Sequence, residues 1–107
     1  FEFALQIIEL YKILIEKREF VLSKQLLKSG TSIGANVEEA IAAQSKRDFI
    51  SKMSIASKEA RETKYWLRLL SKSKLVDTDY SQYLQSIDHI INIITKIVKT
   101  SSEGVTV

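Results

Sequence analysis

Two glutamates, Glu59 and Glu62, stand three residues apart, and the single histidine, His89, follows Asp88. These are the side chains with which the chain could do acid–base or metal chemistry. Residues three apart share a helical face, so Glu59-x-x-Glu62 presents two carboxylates together. A helical hydrolase site of that kind needs a second acidic pair, and no Glu-x-x-Asp follows. Lys58 and Arg61 meanwhile offer Glu59 and Glu62 ordinary ion partners. Di-metal bundles draw on Glu-x-x-His pairs from facing helices, and this chain has none. His89 lies among isoleucines, a boundary position, and a serine nucleophile would need a base held against it. Cysteine is absent, which removes disulfides and thiolate metal sites. No catalytic residue, metal ligand or cofactor is assigned, and the chain reads as a non-enzyme.

A second candidate is the stretch SIGANVEEA, Ser32 to Ala40, preceded by Gly30. A phosphate-cradling loop needs glycines that lead from a strand into a helix, and no strand precedes these. On a helix, Gly30 and Gly34 share a face with Ser23, Leu27 and Ile41. Each glycine costs roughly 0.5–1 kcal/mol relative to alanine, so a steric reason for it is expected. Close helix packing at Gly30 and Gly34 supplies that reason, and a kink at Gly30 is the structural alternative. Asn36 can fix register by hydrogen bonding to a neighbouring helix. Glu38 and Glu39 point about 100° apart. One is expected to meet a basic residue of the third helix and the other to face water.

The elements that hold these residues follow from composition and spacing. The 107 residues include no proline and three glycines, which favours an all-α chain of one domain. Apolar periodicity predicts helices over about 2–17, 20–44, 46–74 and 79–100, with 101–107 as a flexible tail. Ser45 is the expected N-cap of the third helix, and the Asp77, Thr78, Asp79 link caps the fourth. Short links make sequential helices antiparallel neighbours, so the expected fold is an up-down-up-down four-helix bundle over residues 1–100. Ile55, Trp66 and Leu69 form a small apolar stripe off the core face of the third helix. Such a stripe suits an oligomer interface, or Trp66 simply covers a loop. No apolar run reaches the roughly 20 residues of a membrane span. The opening FEFALQIIELYK is not read as a signal peptide, and a cytoplasmic location is expected. With no initiator Met, the N-terminus is expected upstream of Phe1.

Charge is distributed unevenly. Residues 46–74 hold nine basic and three acidic side chains, while the whole chain carries +3. At about 100° per residue, Lys46, Arg47, Lys58, Arg61, Lys64, Arg68 and Lys72 fall within an arc of roughly 120°. Asp48, Glu59 and Glu62 lie in another sector, and Tyr65 sits inside the basic arc, where it could stack on a base. A basic stripe about 40 Å long is the footprint of a phosphate-backbone binder. A solvated face is the plainer reading of the same stripe. The candidate nucleic-acid-binding residues are Arg47, Lys58, Arg61, Lys64, Tyr65 and Arg68.

The blocks QLLKSGTSIGANVEEA (Gln25 to Ala40) and DFISKMSIASKEARETKYWLRLL (Asp48 to Leu70) carry a resemblance over nearly the whole chain. They resemble the four-helix-bundle proteins encoded in intervening sequences of bacterial 23S ribosomal RNA. The accessory variability protein of diversity-generating retroelements belongs to the same superfamily. Many relatives read Ala-Asn-Ile-Ala-Glu-Gly where this chain has Ala35, Asn36, Val37, Glu38, Glu39 and Ala40. No role tied to that final glycine is carried over. The resemblance implies an antiparallel bundle assembled into a homopentameric ring. In the retroelement branch a basic surface of that ring binds nucleic acid and a reverse transcriptase. For the other members the link to ribosomal RNA is one of gene location. The expected partners are therefore further copies of the chain, RNA or DNA, and a reverse transcriptase or other protein. The competing expectation is a protein-interaction scaffold with no nucleic-acid role.

Overall fold

The computed structural model describes residues 1–103. Among them are four α-helices and no strand: α1 (Glu2–Glu16), α2 (Leu22–Ile41), α3 (Lys46–Ser73) and α4 (Ser81–Glu103). The molecule measures 50 × 21 × 20 Å, and α3, at 28 residues, spans about 42 Å of its length. Among the described residues no helix is long and apolar enough to cross a membrane.

Local chemistry sets the helix ends. α1 stops in a Schellman turn: Arg18 takes a left-handed φ of 67°, its N–H reaches the Ile15 carbonyl, and the Glu19 N–H reaches Leu14. Glu19 then caps α2 with its carboxylate, which accepts the N–H groups of Leu22 at 3.0 Å and Ser23 at 2.7 Å. α2 therefore begins at Leu22 rather than near 20, and it closes at Ile41, short of 44. Ser45 caps α3 by accepting the Asp48 N–H at 3.0 Å. Lys74, left-handed at φ 56°, ends it. At the head of α4 the Asp79 carboxylate accepts both the N–H and the hydroxyl of Ser81, which hold it below its ordinary pKa. Tyr80 is buried there, and burial, with the carboxylates of Glu19 and Asp77, pushes its phenol above its ordinary value. α4 runs through residues 101–103, which were expected in a flexible tail; the rest of that tail, 104–107, lies outside the described residues.

Packing follows the apolar stripes. α2 lies against α1 and α3, α3 against α4, and α1 meets α4 along a thinner seam. Ile7, Leu10 and Leu14 of α1, Leu26 of α2, Leu67 and Leu70 of α3 and Ile87 of α4 are fully enclosed. The α2–α3 contact also holds a polar pair, since the buried hydroxyls of Thr63 and Ser29 meet at 2.9 Å. Thr63 reaches the Glu59 carbonyl as well, so neither hydroxyl is orphaned.

The two α2 glycines differ. A Cβ at Gly30 would stand 2.9 Å from Cγ2 and 3.0 Å from Cγ1 of Ile7, so α1 rests directly on the α2 backbone there. At Gly34, among the described residues, a Cβ would have only the Phe1 nitrogen within 4.0 Å and no side chain pressing on it. Asn36 does not bridge helices either. Its amide donates to the Ser32 carbonyl, one turn back on α2, at 2.9 Å. Glu38 and Glu39 are both exposed, and neither forms an ion pair with α3 among the described residues.

Gly30→Leu is expected to destabilise the chain by about 1–3 kcal/mol through overpacking against the stiff, buried Ile7. Gly34→Ala should instead gain about 0.5–1 kcal/mol, because helix propensity improves in open space. Urea unfolding followed by far-UV circular dichroism, at matched protein concentration, separates the two signs.

Candidate nucleic-acid interface

α3 carries its chemistry on the edge that the core leaves uncovered. Met53, Ala56, Ala60, Thr63, Leu67 and Leu70 are buried, and they mark one side of the helix. About 100° per residue then turns the basic arc away from that side, with Lys64 at its inner border and Arg47, Lys58 and Tyr65 pointing outermost. Arg47, Lys58, Arg61 and Arg68 are exposed, and Lys64 is half-buried.

The structure brings three of these cations together. Arg61, Lys64 and Arg68 line an open cleft of about 590 Å³ whose other wall is α4, through Asp88, Ile91, Asn92 and Thr95. Lys64 Nζ lies 2.7 Å from Asp88 Oδ1. Arg61 donates a long hydrogen bond of 3.4 Å to the Thr95 hydroxyl. Both members of the Lys64–Asp88 pair are substantially exposed, so the pair contributes only about 0–1 kcal/mol. Lys64 is the one candidate cation with a carboxylate partner among the described residues. Arg47 and Lys58 lie on the same edge of α3 but outside this cleft.

Tyr65 is 55% exposed, and its ring meets Trp66 edge to face at a centroid distance of 5.2 Å. The packing holds one side of the phenol while leaving a face toward solvent. The apolar trio Ile55, Trp66 and Leu69 is less prominent than its spacing predicts. Ile55 is 38% exposed, whereas Trp66 packs partly on the core and donates its indole N–H to Glu62 at 3.3 Å. Glu62 is thus engaged by an indole rather than by Lys58 or Arg61. His89 is exposed. Among the described residues no three acidic or histidine side chains gather as metal ligands would.

Two features escaped the sequence reading. Asp88, Asn92 and Thr95 recur at four and three residues, which places them on one face of α4; the periodicity that revealed the isoleucine stripe carried this signal too. The second is an apolar cleft of about 250 Å³ at the thin α1–α4 seam, where Phe1, Gly34, Val37, Ile90, Ile93 and Ile97 meet. Ile93, outside the core stripe and 45% exposed, was its signal.

Fold and surface together define a class: a small all-α four-helix bundle with its excess positive charge along one helix. Residues 1–96 match the family described as 23S rRNA-intervening sequence protein. The chain belongs to that family. It is also similar to a protein of unknown function from the S23 ribosomal protein family of Bacteroides thetaiotaomicron, whose crystal structure was determined at 1.70 Å. The two are 49% identical and superpose with a TM-score of 0.87, over 92% of this chain and 93% of the other. No curated protein matches the chain.

Replacing Arg61, Lys64 and Arg68 together by glutamine should leave helicity unchanged and cost less than about 2 kcal/mol, because exposed charges lie outside the core. Thermal and urea unfolding monitored by circular dichroism measure this. A collapse of the fold would place these side chains in structural roles.

Proposed function

We propose that this protein is a non-enzymatic, cytoplasmic, homo-oligomeric bundle that binds RNA or DNA through phosphate contacts from the basic edge of α3. The observation that carries this reading is the concentration of charge. Nine of the chain's 16 lysines and arginines lie within residues 46–74, and those of the candidate arc lie along the open edge of α3 with one carboxylate partner, Asp88, among the described residues. Such a surface attracts a polyanion without reading its sequence, because phosphate contacts position a ligand rather than specify it. Arg47, Lys58, Arg61, Lys64 and Arg68 supply the charge, and Tyr65 offers a stacking surface.

The assembly belongs to the same proposal. The bundle is antiparallel, up-down-up-down, and closes into a homopentameric ring that sets several basic edges side by side. Multivalency then raises avidity beyond that of one subunit. Support comes from the apolar surface that one chain leaves uncovered, at Ile55 and at the cleft between Phe1 and Ile93. The same uncovered surface favours a second reading, a protein-interaction scaffold such as a reverse transcriptase accessory subunit.

Fluorescence anisotropy with labelled RNA and DNA oligonucleotides distinguishes the two. With three or four phosphates engaged per subunit, log affinity should fall against log salt with a slope of roughly −2 to −4. The Arg61→Gln, Lys64→Gln, Arg68→Gln variant should lose binding while native mass spectrometry returns an unchanged particle. Salt-insensitive binding, or binding undiminished in the triple variant, rejects the phosphate mechanism.

A further inference from the structure

α4 adds no excess positive charge, yet one of its faces forms the second wall of the basic cleft. Asp88, Asn92 and Thr95 stand across from Arg61, Lys64 and Arg68. The cleft therefore combines three cations, one carboxylate, one amide and one hydroxyl. Asn92 and Thr95 are exposed, and a side-chain amide and a hydroxyl both donate to phosphate oxygens as readily as to water. They would add hydrogen bonds to a backbone phosphate held by the arginines, from the opposite side.

Asp88 is the unusual member. Its carboxylate sits 2.7 Å from the Lys64 ammonium, the separation that a phosphate oxygen would take in a charge-assisted hydrogen bond. With side-chain exposures of 39% for Lys64 and 53% for Asp88, the pair is wet, screened by salt and easily exchanged. An incoming phosphate would meet the same cation and be repelled by the same carboxylate.

We propose that the α3–α4 cleft is a two-walled seat for a phosphodiester group, in which Asn92 and Thr95 are backbone ligands and Asp88 is a built-in competitor that occupies Lys64 until phosphate displaces it. The inference rests on the nucleic-acid reading above and deepens it. The ligand class is the phosphodiester backbone common to RNA and DNA. Asp88 lowers affinity and keeps the free cleft less positive, so that binding needs several phosphates at once rather than a single small anion.

The test compares the intact protein with Asp88→Asn and with the double variant Asn92→Ala, Thr95→Val, using single-stranded RNA and DNA of one sequence across a salt series. Asp88→Asn frees a cation, so each engaged seat should release about one more counterion. The salt slope should steepen by about 0.7 and affinity should rise about fourfold near physiological salt. The double variant should bind about three- to tenfold more weakly with an unchanged slope, because neutral donors displace no counterions. RNA and DNA should respond alike; a response confined to RNA would mean that the 2′-hydroxyl is the ligand and overturn the phosphodiester assignment. Should Asp88→Asn leave affinity and slope unchanged while the triple glutamine variant loses binding, the competitor role fails and the nucleic-acid reading stands. An unaffected double variant removes α4 from the seat. Polyglutamate competing better than the oligonucleotides would assign the cleft to an acidic protein instead. Failure of the intact protein to bind either strand removes both proposals.

Discussion

The bundle depends on two adjacent residues of α2, Ser29 and Gly30, which face different neighbours. Neighbouring helical positions point about 100° apart, so one residue can address α1 while the next addresses α3. Gly30, lacking a Cβ, lets the branched side chain of Ile7 rest on the α2 backbone. Ser29, small and polar, meets Thr63 at 2.9 Å. Both are buried, so the first fixes the α1–α2 distance and the second the register of α3 on α2. A larger residue at 30 would lift α1. An apolar residue at 29 or 63 would remove the one hydroxyl–hydroxyl bond between α2 and α3, a loss of about 0.5–1.5 kcal/mol, leaving the remaining hydroxyl only the carbonyl of its own helix.

Once the rotation of α3 is fixed, so is the placement of its charge. With Met53, Ala60 and Leu67 turned inward, helical geometry leaves the basic arc no inward position. Lys64 falls at the border with α4, where Asp88 can reach it, and Arg47 and Lys58 fall on the outer surface. The electrostatics of the cleft therefore descend from a packing constraint on the far side of the same helix. A one-residue rotation of α3 would bury cations and expose leucines.

Most of this was legible in the chain. Periodicity located four helices to within a few residues, and Ser45 announced the start of α3, because a serine hydroxyl is the acceptor that orphan N–H groups require. The start of α2 was less legible: Glu19 caps it from outside the helix, and a glutamate at that position looks like any surface charge. The turn after α1 was hidden too, since Arg18 adopts a conformation usually marked by glycine. A helical wheel gives direction but not what stands there. Gly30 and Gly34 share a face, yet among the described residues only Gly30 has a side chain within 4 Å of where a Cβ would stand. The basic arc could be drawn from the sequence and α3 and α4 were expected as neighbours, whereas the Asp88, Asn92 and Thr95 wall required knowing the register and rotation in which they meet.

Stability alone does not account for the composition of α3. Arg61, Lys64 and Arg68 recur at three and four residues, a spacing at which like charges destabilise a helix by about 0.2–0.5 kcal/mol per pair. Opposite charges at those positions would have contributed a similar amount with the other sign. The core makes no demand for cations there, since the side chains lie outside it and Asp88 offsets only one of them. Lys58 and Arg47 extend the same unbalanced edge without any partner wall. A surface that is mildly unfavourable in the free chain would become favourable if an anion of matching length lay along it, and relief of the repulsion among its cations would then add to the binding proposed above.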